Sequence, residues 1–298
     1  MTLYEHISVN RRRTIILIAL FFIIIGFIGY AFGLYFGVPF IGLGFAVIFS
    51  TIMSLMSFYS GDKLILRMSH AVPANRKKYP YLVNTVEGLA IAAGIPTPKI
   101  YVINDTAINA FATGRNPAHG SVTVTTGAIE RLKRDELEGV LAHELAHIRN
   151  YDIRMMMLVV ILIGIIALLS DFLLRTIIYN KKHKEIKSPL AALLILLGLI
   201  LALLSPLISQ LIKFAVSRQR EYLADADGSL LSRNPQGLAN ALMKIKNDKE
   251  PLVEAANKAT AHLFIENPLR TFKGRINHLF STHPEIDERI KRLQSLKV

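Results

Sequence analysis

His143-Glu144-Leu145-Ala146-His147 sets two imidazoles four residues apart, with a carboxylate beside the first. On an α-helix, positions i and i+4 share one face about one turn apart, so both rings can reach a single cation. Neutral imidazole nitrogens are zinc ligands, and a catalytic zinc keeps one position open for water. Glu144 would face that water and take its proton. The surrounding residues supply the helix. Asp135, Glu136 and Glu138 place acidic groups at its start, where the helix dipole favours them. Leu137, Val140, Leu141, Leu145 and Ile148 recur at helical spacing, which predicts an amphipathic helix of about sixteen residues. The competing reading is a helix whose histidines merely face solvent or core, and the residues downstream argue against it.

A catalytic zinc needs a third protein ligand. The best candidate is Glu221, in Ser217-Arg218-Gln219-Arg220-Glu221-Tyr222-Leu223-Ala224-Asp225, a stretch that also reads as helix. Glu221 and Asp225 are i and i+4 and share a face. Glu221 would bind the metal while Asp225 accepts the remaining N–H of a ligand histidine, which fixes the tautomer and aims the ring. Asp152, Asp227 and His183 are the alternative third ligands. Asp152 is close along the same helix, and His183 lies between two long apolar runs.

With these residues in view the chain resembles a known family. A distant Glu-x-x-x-Asp after His-Glu-x-x-His is the pattern of the gluzincin metallopeptidases. The arrangement resembles the HtpX family of membrane-bound zinc proteases, relatives of the CAAX prenyl endopeptidases. Two further pieces match, Asn109-Ala110-Phe111-Ala112-Thr113-Gly114 and Ser281-Thr282-His283-Pro284. The likeness covers nearly the whole chain. It implies one zinc per chain on His143, His147 and Glu221, with Glu144 as the catalytic carboxylate. It implies that Asn109 to Gly114 is an edge strand holding the substrate as an additional strand. It also implies a quality-control protease acting on damaged membrane proteins.

Composition bounds the remaining possibilities. The chain has 298 residues, 52% of them hydrophobic, and its mean hydropathy is positive. That is high for a soluble protein and points to membrane segments. There is no cysteine, which excludes a disulfide framework or a thiolate site. The formal charge of +13 is compatible with nucleic acid, but the basic residues gather at the ends of apolar runs, as membrane flanks do. No nucleic-acid-binding module is visible, so no nucleic-acid partner is expected.

From Thr14 to Gly61 no residue is charged. A helix crosses a bilayer in about 20 residues, so this stretch holds two crossings. Gly37-Val38-Pro39 divides it, predicting helices near 14–36 and 40–60. Arg11-Arg12-Arg13 before the first, and Lys63 and Arg67 after the second, should keep both outer ends cytoplasmic. The first run is too long for a signal-peptide core and reads as an uncleaved anchor. Met155 to Ile178 and Ser188 to Ile212 are two further apolar runs. Asp171 and Arg175 interrupt the first and are spaced to pair; Pro206 should kink the second. Lys181, Lys182, Lys184 and Lys187 lie between them, against the positive-inside tendency if both cross. His147 precedes Met155 by eight residues, roughly 12 Å of helix. That places the metal close to the membrane face.

Between the apolar pairs, Tyr81 to Ala93 predicts a helix stopped at Gly94, with Pro96 beyond. Lys99–Ile103, Asn109–Thr113 and Ser121–Thr126 read as strands of a small antiparallel sheet, the last two joined by the turn cluster 115–120. Residues 213–298 read as mainly helical, with stripes at Leu238, Leu242 and Ile245 and at Ile286, Ile290 and Leu293. Peptide hydrolysis develops negative charge on the attacked oxygen, and His283, Arg218 and Arg220 are candidates to stabilise it. His6, His70, His119, His183, His262 and His278 read as surface or packing residues.

The expected protein is an α-rich α+β membrane protein with about four transmembrane helices and a zincin-like cytoplasmic catalytic domain containing a small antiparallel sheet. Its segments are an N-terminal hairpin (1–61), a first catalytic block (62–154), a second hairpin (155–212) and a second catalytic block (213–298). The expected activity is zinc-dependent endoproteolysis of membrane-associated or misfolded polypeptides, in a multi-pass plasma-membrane protein with its site and both termini cytoplasmic. Its expected partners are the lipid bilayer and those polypeptide substrates. The alternative is a metal transporter or sensor using the same ligands without hydrolysis. Transporters place ionisable ligands within spans, whereas these flank them. An inactive scaffold of the same fold is the third reading, and the intact Glu144 argues against it.

Overall fold

The computed structural model describes residues 3–162, 164–165, 218–248, 265 and 284–296. It opens with two long apolar helices, Leu3–Tyr35 and Pro39–Met68, joined by a three-residue turn. Gly37 adopts φ 75°, a conformation open to glycine, and Pro39 begins the second helix with its fixed φ. The two helices pack at glycines: a Cβ on Gly42 would meet the Cα of Gly33 at 2.9 Å. Small residues at such a crossing let backbones approach closely. Phe40, Phe45, Ile15 and Ile23 are each about two-thirds exposed or more, an apolar surface suited to lipid rather than water. Both helices are long and apolar enough to cross a membrane. The first has 33 residues, or about 50 Å against about 30 Å of hydrocarbon. Its charged N-terminal turns therefore extend beyond the bilayer core. Of the second apolar pair, 152–162 is helical and buried from Met155 to Leu162; the run from 188 to 212 lies outside the described residues.

The sheet is mixed, with order β1-β2-β4-β3 (β1, Val72–Pro73; β2, Lys99–Ile103; β3, Ala110–Gly114; β4, Gly120–Thr125). This corrects the expectation of an antiparallel sheet. The short β3–β4 connection makes that pair antiparallel, but β4 then inserts between β3 and β2 and runs parallel to β2. Alternation in the sequence reports which residues are pleated, not which strands are neighbours. β3 starts at Ala110, not Asn109, and lies at the sheet edge.

The helix Pro80–Ala93 ends where expected, at Gly94 with φ 66°. The helix carrying the two histidines spans Arg134–Arg149, sixteen residues. At its start Glu136 accepts the backbone N–H of Lys133 at 2.7 Å and pairs with Lys244 at 2.6 Å. Its apolar stripe, Leu137, Leu141, Leu145 and Ile148, is buried with Val122 and Val124 of β4, with Leu238 and Leu242 of the helix Pro235–Asn247, and with Ile290 and Leu293 of the helix Ile286–Ser295. Each such side chain contributes about 1.5–3 kcal/mol of burial, enough to hold the helix as a fixed platform. A separate cluster joins Leu17, Phe21 and Ile25 of the first apolar helix to residues 155–162 and to Phe111 of β3.

Candidate metal centre

The histidine-bearing helix lies against the helix Arg218–Ser232, and the contact is unusually close at one point. A Cβ on Gly228 would stand 2.8 Å from the backbone N of His143. With no side chain at that position, Glu221 and Asp225, two turns and one turn earlier on the same helix, reach the imidazoles. Among the described residues, His143, His147 and Glu221 are the one group whose ligand atoms lie close enough to hold a metal, within 4.8 Å of one another, and all three are buried.

The Nε2 atoms of His143 and His147 face each other at 3.1 Å. Glu221 Oε2 is 3.8 Å from Nε2 of His143, and its Oε1 is 3.6 Å from Nε2 of His147. Nitrogens on one tetrahedral zinc stand about 3.3 Å apart, since each bond is about 2.0–2.1 Å. The observed spacings come within half an ångström of that. Two unprotonated nitrogens facing each other so closely repel unless a cation or proton lies between them, so this donor set suits a metal.

Each ring has an aspartate beside its other nitrogen. His147 donates from Nδ1 to Asp152 Oδ2 at 2.9 Å. Nδ1 of His143 is 3.0 Å from Asp225 Oδ1. Both carboxylates are in turn gripped by buried arginines. Arg289 donates to Asp225 through Nε at 2.9 Å and Nη2 at 2.7 Å, a two-bond fork, and its Nη1 stands 3.8 Å from Glu221. Arg220 contacts Asp152 Oδ1 at 2.6 Å. Burial alone would raise the pKa of both aspartates, but Arg289 beside Asp225 and Arg220 beside Asp152, with the histidine contacts, hold them below the ordinary carboxylate value. His147 is opposite in sign. Burial would lower its pKa, yet the hydrogen bond to Asp152 and the charges of Glu221, Asp152 and Glu144 raise it to about 9. The pocket is thus strongly favourable to positive charge at the two Nε2 atoms.

Glu144 is buried beside His143. Asp225, expected to orient a histidine, stands with Oδ1 3.0 Å from Nδ1 of His143. Asp152, weighed above as a third ligand, instead holds His147 Nδ1: the chain leaves the helix at Asn150, turns through Tyr151 at φ 60°, and folds Asp152 back on the ring. Asp227 accepts from Asn150 Nδ2 at 2.8 Å and does not join the metal group. Arg220 is committed to Asp152, which argues against its stabilising the substrate oxyanion; Arg218 is exposed. His283 and His183 lie outside the described residues, as do His262 and His278. Arg289 was missed in the sequence because an arginine in an amphipathic C-terminal helix reads as a solvated residue. Its spacing from Ile286, Ile290 and Leu293 was the available signal.

Just before β3, Asn109 accepts from Thr125 N and donates its own N–H to Thr125 Oγ1, so in the register that follows Ala110, Ala112 and Gly114 turn their backbone groups outward. Ala110 is already engaged there: its N–H goes to Asn109 Oδ1 at 3.0 Å and its carbonyl accepts from Ile265 N at 3.1 Å.

Residues 76–297 match Peptidase family M48. A protein named Protease HtpX homolog from Caldanaerobacter subterraneus subsp. tengcongensis is 45% identical over 300 residues, covering 100% of this chain and 99% of its own length. Proteins of the same name from Dictyoglomus thermophilum and Listeria monocytogenes are 43% and 38% identical, each over 99% of this chain and at least 95% of their own. The crystal structure of S. mikatae Ste24p aligns with 83% of this chain and 57% of that chain, at 19% identity and a TM-score of 0.46.

Proposed function

The chain belongs to peptidase family M48, and we propose that it is a zinc endopeptidase that cuts membrane-associated or misfolded polypeptides at the cytoplasmic face of the plasma membrane. His143, His147 and Glu221 hold the zinc, one ion per chain. The observation that carries this reading is the convergence of the two Nε2 atoms and the Glu221 carboxylate, with each opposite Nδ1 set on an aspartate. Bound zinc would supply an acidified water and polarise the scissile carbonyl.

The protein's own residues do the rest. Glu144 receives the proton of the attacking water and delivers it to the leaving amine. Asp152 and Asp225 keep the proton of each imidazole on Nδ1, so that Nε2 faces inward. The outward backbone of β3 at Ala112 and Gly114 pairs with an extended substrate, aligning its carbonyl for attack. Ala110 and Asn109, already bonded to each other, end that docking edge. His283, three residues before the helix Ile286–Ser295 in the sequence, is the candidate donor to the developing oxyanion.

Arg11, Arg12 and Arg13 hold the start of the first apolar helix on the cytoplasmic side. The catalytic residues follow on the same side, and the second apolar pair completes a four-span topology. The site then stands within a few turns of helix of the bilayer. Loops and termini of membrane proteins are the segments within reach. The test is metal content together with casein digestion by the detergent-solubilised full chain. One zinc per chain and digestion abolished by chelator are expected. Digestion that survives complete metal removal refutes the reading.

A further inference from the structure

Asn10 stands in the first apolar helix, four residues before the charge-free run begins at Thr14, yet it is buried against the metal centre. Its Nδ2 donates to Asp152 Oδ1 at 2.7 Å and to the backbone carbonyl of Asn150 at 3.1 Å. Both partners are acceptors, so the amide nitrogen must be the end that faces them. Asp152 is the carboxylate that accepts from His147 Nδ1. The chain of contacts therefore runs from the root of the first membrane helix, through one carboxylate, to the imidazole proposed as a zinc ligand.

We propose that Asn10 is a positioning residue of the metal centre, fixing Asp152 and through it His147, so that the centre is complete only when the first membrane helix is seated. Three observations support the assignment. Asp152 shares Oδ1 between Asn10 and Arg220 and commits Oδ2 to His147, so Asn10 helps fix the carboxylate plane. The turn carrying Asp152 passes through Tyr151 at φ 60°, a conformation that side-chain-bearing residues rarely adopt, and Asn10 ties down the carbonyl just before it. Leu17, Phe21 and Ile25 pack on residues 155–162, which continue from that turn, so the helix bearing Asn10 is held beside the site along several turns.

The inference rests on the metal-site reading above, and a double-mutant cycle in zinc affinity separates the two. The probe is zinc itself, competed against a chelator, on the full chain in detergent. Asn10→Ala should weaken zinc binding about tenfold, the lower end for partners outside the ligand set. In an Asp152→Ala background the same change should cost under about twofold, because Asn10 acts through Asp152. Cobalt substituted for zinc should show a shifted absorption spectrum in Asn10→Ala. The near-isosteric Asn10→Asp keeps shape but sets carboxylate against carboxylate, and should lose affinity at least as strongly. Equal losses in both backgrounds, or wild-type affinity in Asn10→Asp, would overturn the proposal while leaving the metal site standing. A wild-type chain that binds no zinc would remove both.

Discussion

Gly228 presses its backbone against that of His143, close enough that a Cβ would stand 2.8 Å from His143 N and 3.0 Å from its Cα. The obstacle is main chain on a buried helix, not the flexible end of a side chain. Gly228→Ala must therefore push the Glu221 helix away from the imidazoles. Overpacking of this kind costs about 1–3 kcal/mol, and a displaced Glu221 loosens the ligand set. The variant should show a lowered melting temperature and a larger fractional loss of bound zinc than of folded protein. Zinc content unchanged after purification would show that the helices can separate without moving Glu221.

Glu144→Gln should retain zinc and lose proteolysis. The amide keeps the shape and burial of Glu144 but cannot take a proton. General acid–base groups contribute about 10²–10⁴-fold, so casein digestion should fall by at least that range while metal analysis stays at one ion per chain. Cleavage at the wild-type rate would assign the base elsewhere.

Asp225 and Arg289 form a buried forked pair, at 2.7 and 2.9 Å, behind His143. Removing either partner strands the other's charge. Arg289→Met should destabilise by about 3–5 kcal/mol, the usual cost of an uncompensated buried ion. Asp225→Ala should cost as much and also weaken zinc binding about 10–100-fold, because His143 loses its Nδ1 partner. Replacing both residues together with apolar ones should recover much of the stability but not the zinc affinity. Chemical denaturation beside chelator competition tests this; full recovery of zinc binding in the double variant would mean that Asp225 does not orient His143.

The legible parts of the molecule were those that a single segment encodes. The sixteen-residue histidine helix, the stop at Gly94 and the break at Gly37-Val38-Pro39 each follow from local periodicity, caps and turn residues. The Glu221–Asp225 pair was legible because both residues sit one turn apart on one helix. What failed to show was long-range. The insertion of β4 between β2 and β3 depends on which strand edges meet, and the alternating Val-Thr pattern is the same for either neighbour. Asp152 read as too near His147 to complete a ligand set, since the reversal at Tyr151 uses a backbone conformation that its residue type does not announce. Asn10 and Arg289 lie 142 and 64 residues from the carboxylates they bind, and polar residues on amphipathic or apolar helices carry no mark of a distant partner.

The pKa of His147 makes a final prediction, opposite in sign for the metal-free and metal-bound chains. Against the cost of burial, the hydrogen bond to Asp152 and the neighbouring carboxylates raise its pKa from 6.5 to about 9. A group whose folded pKa exceeds its unfolded value stabilises the fold fully below the unfolded pKa and loses that contribution as pH rises through the folded one. The metal-free protein should therefore lose stability between pH 6.5 and about 9, by at most about 3 kcal/mol from this group. Metal binding has to expel the same proton, so zinc affinity should climb with pH across that window, approaching tenfold per unit. The melting temperature of the chelated protein should fall over this range while the stabilisation conferred by zinc grows. Asp152→Asn should flatten both trends by removing the charge that holds the proton on His147. A chelated protein whose stability rises from pH 6.5 to 9 would mean that His147 is not the dominant titrating group of the site.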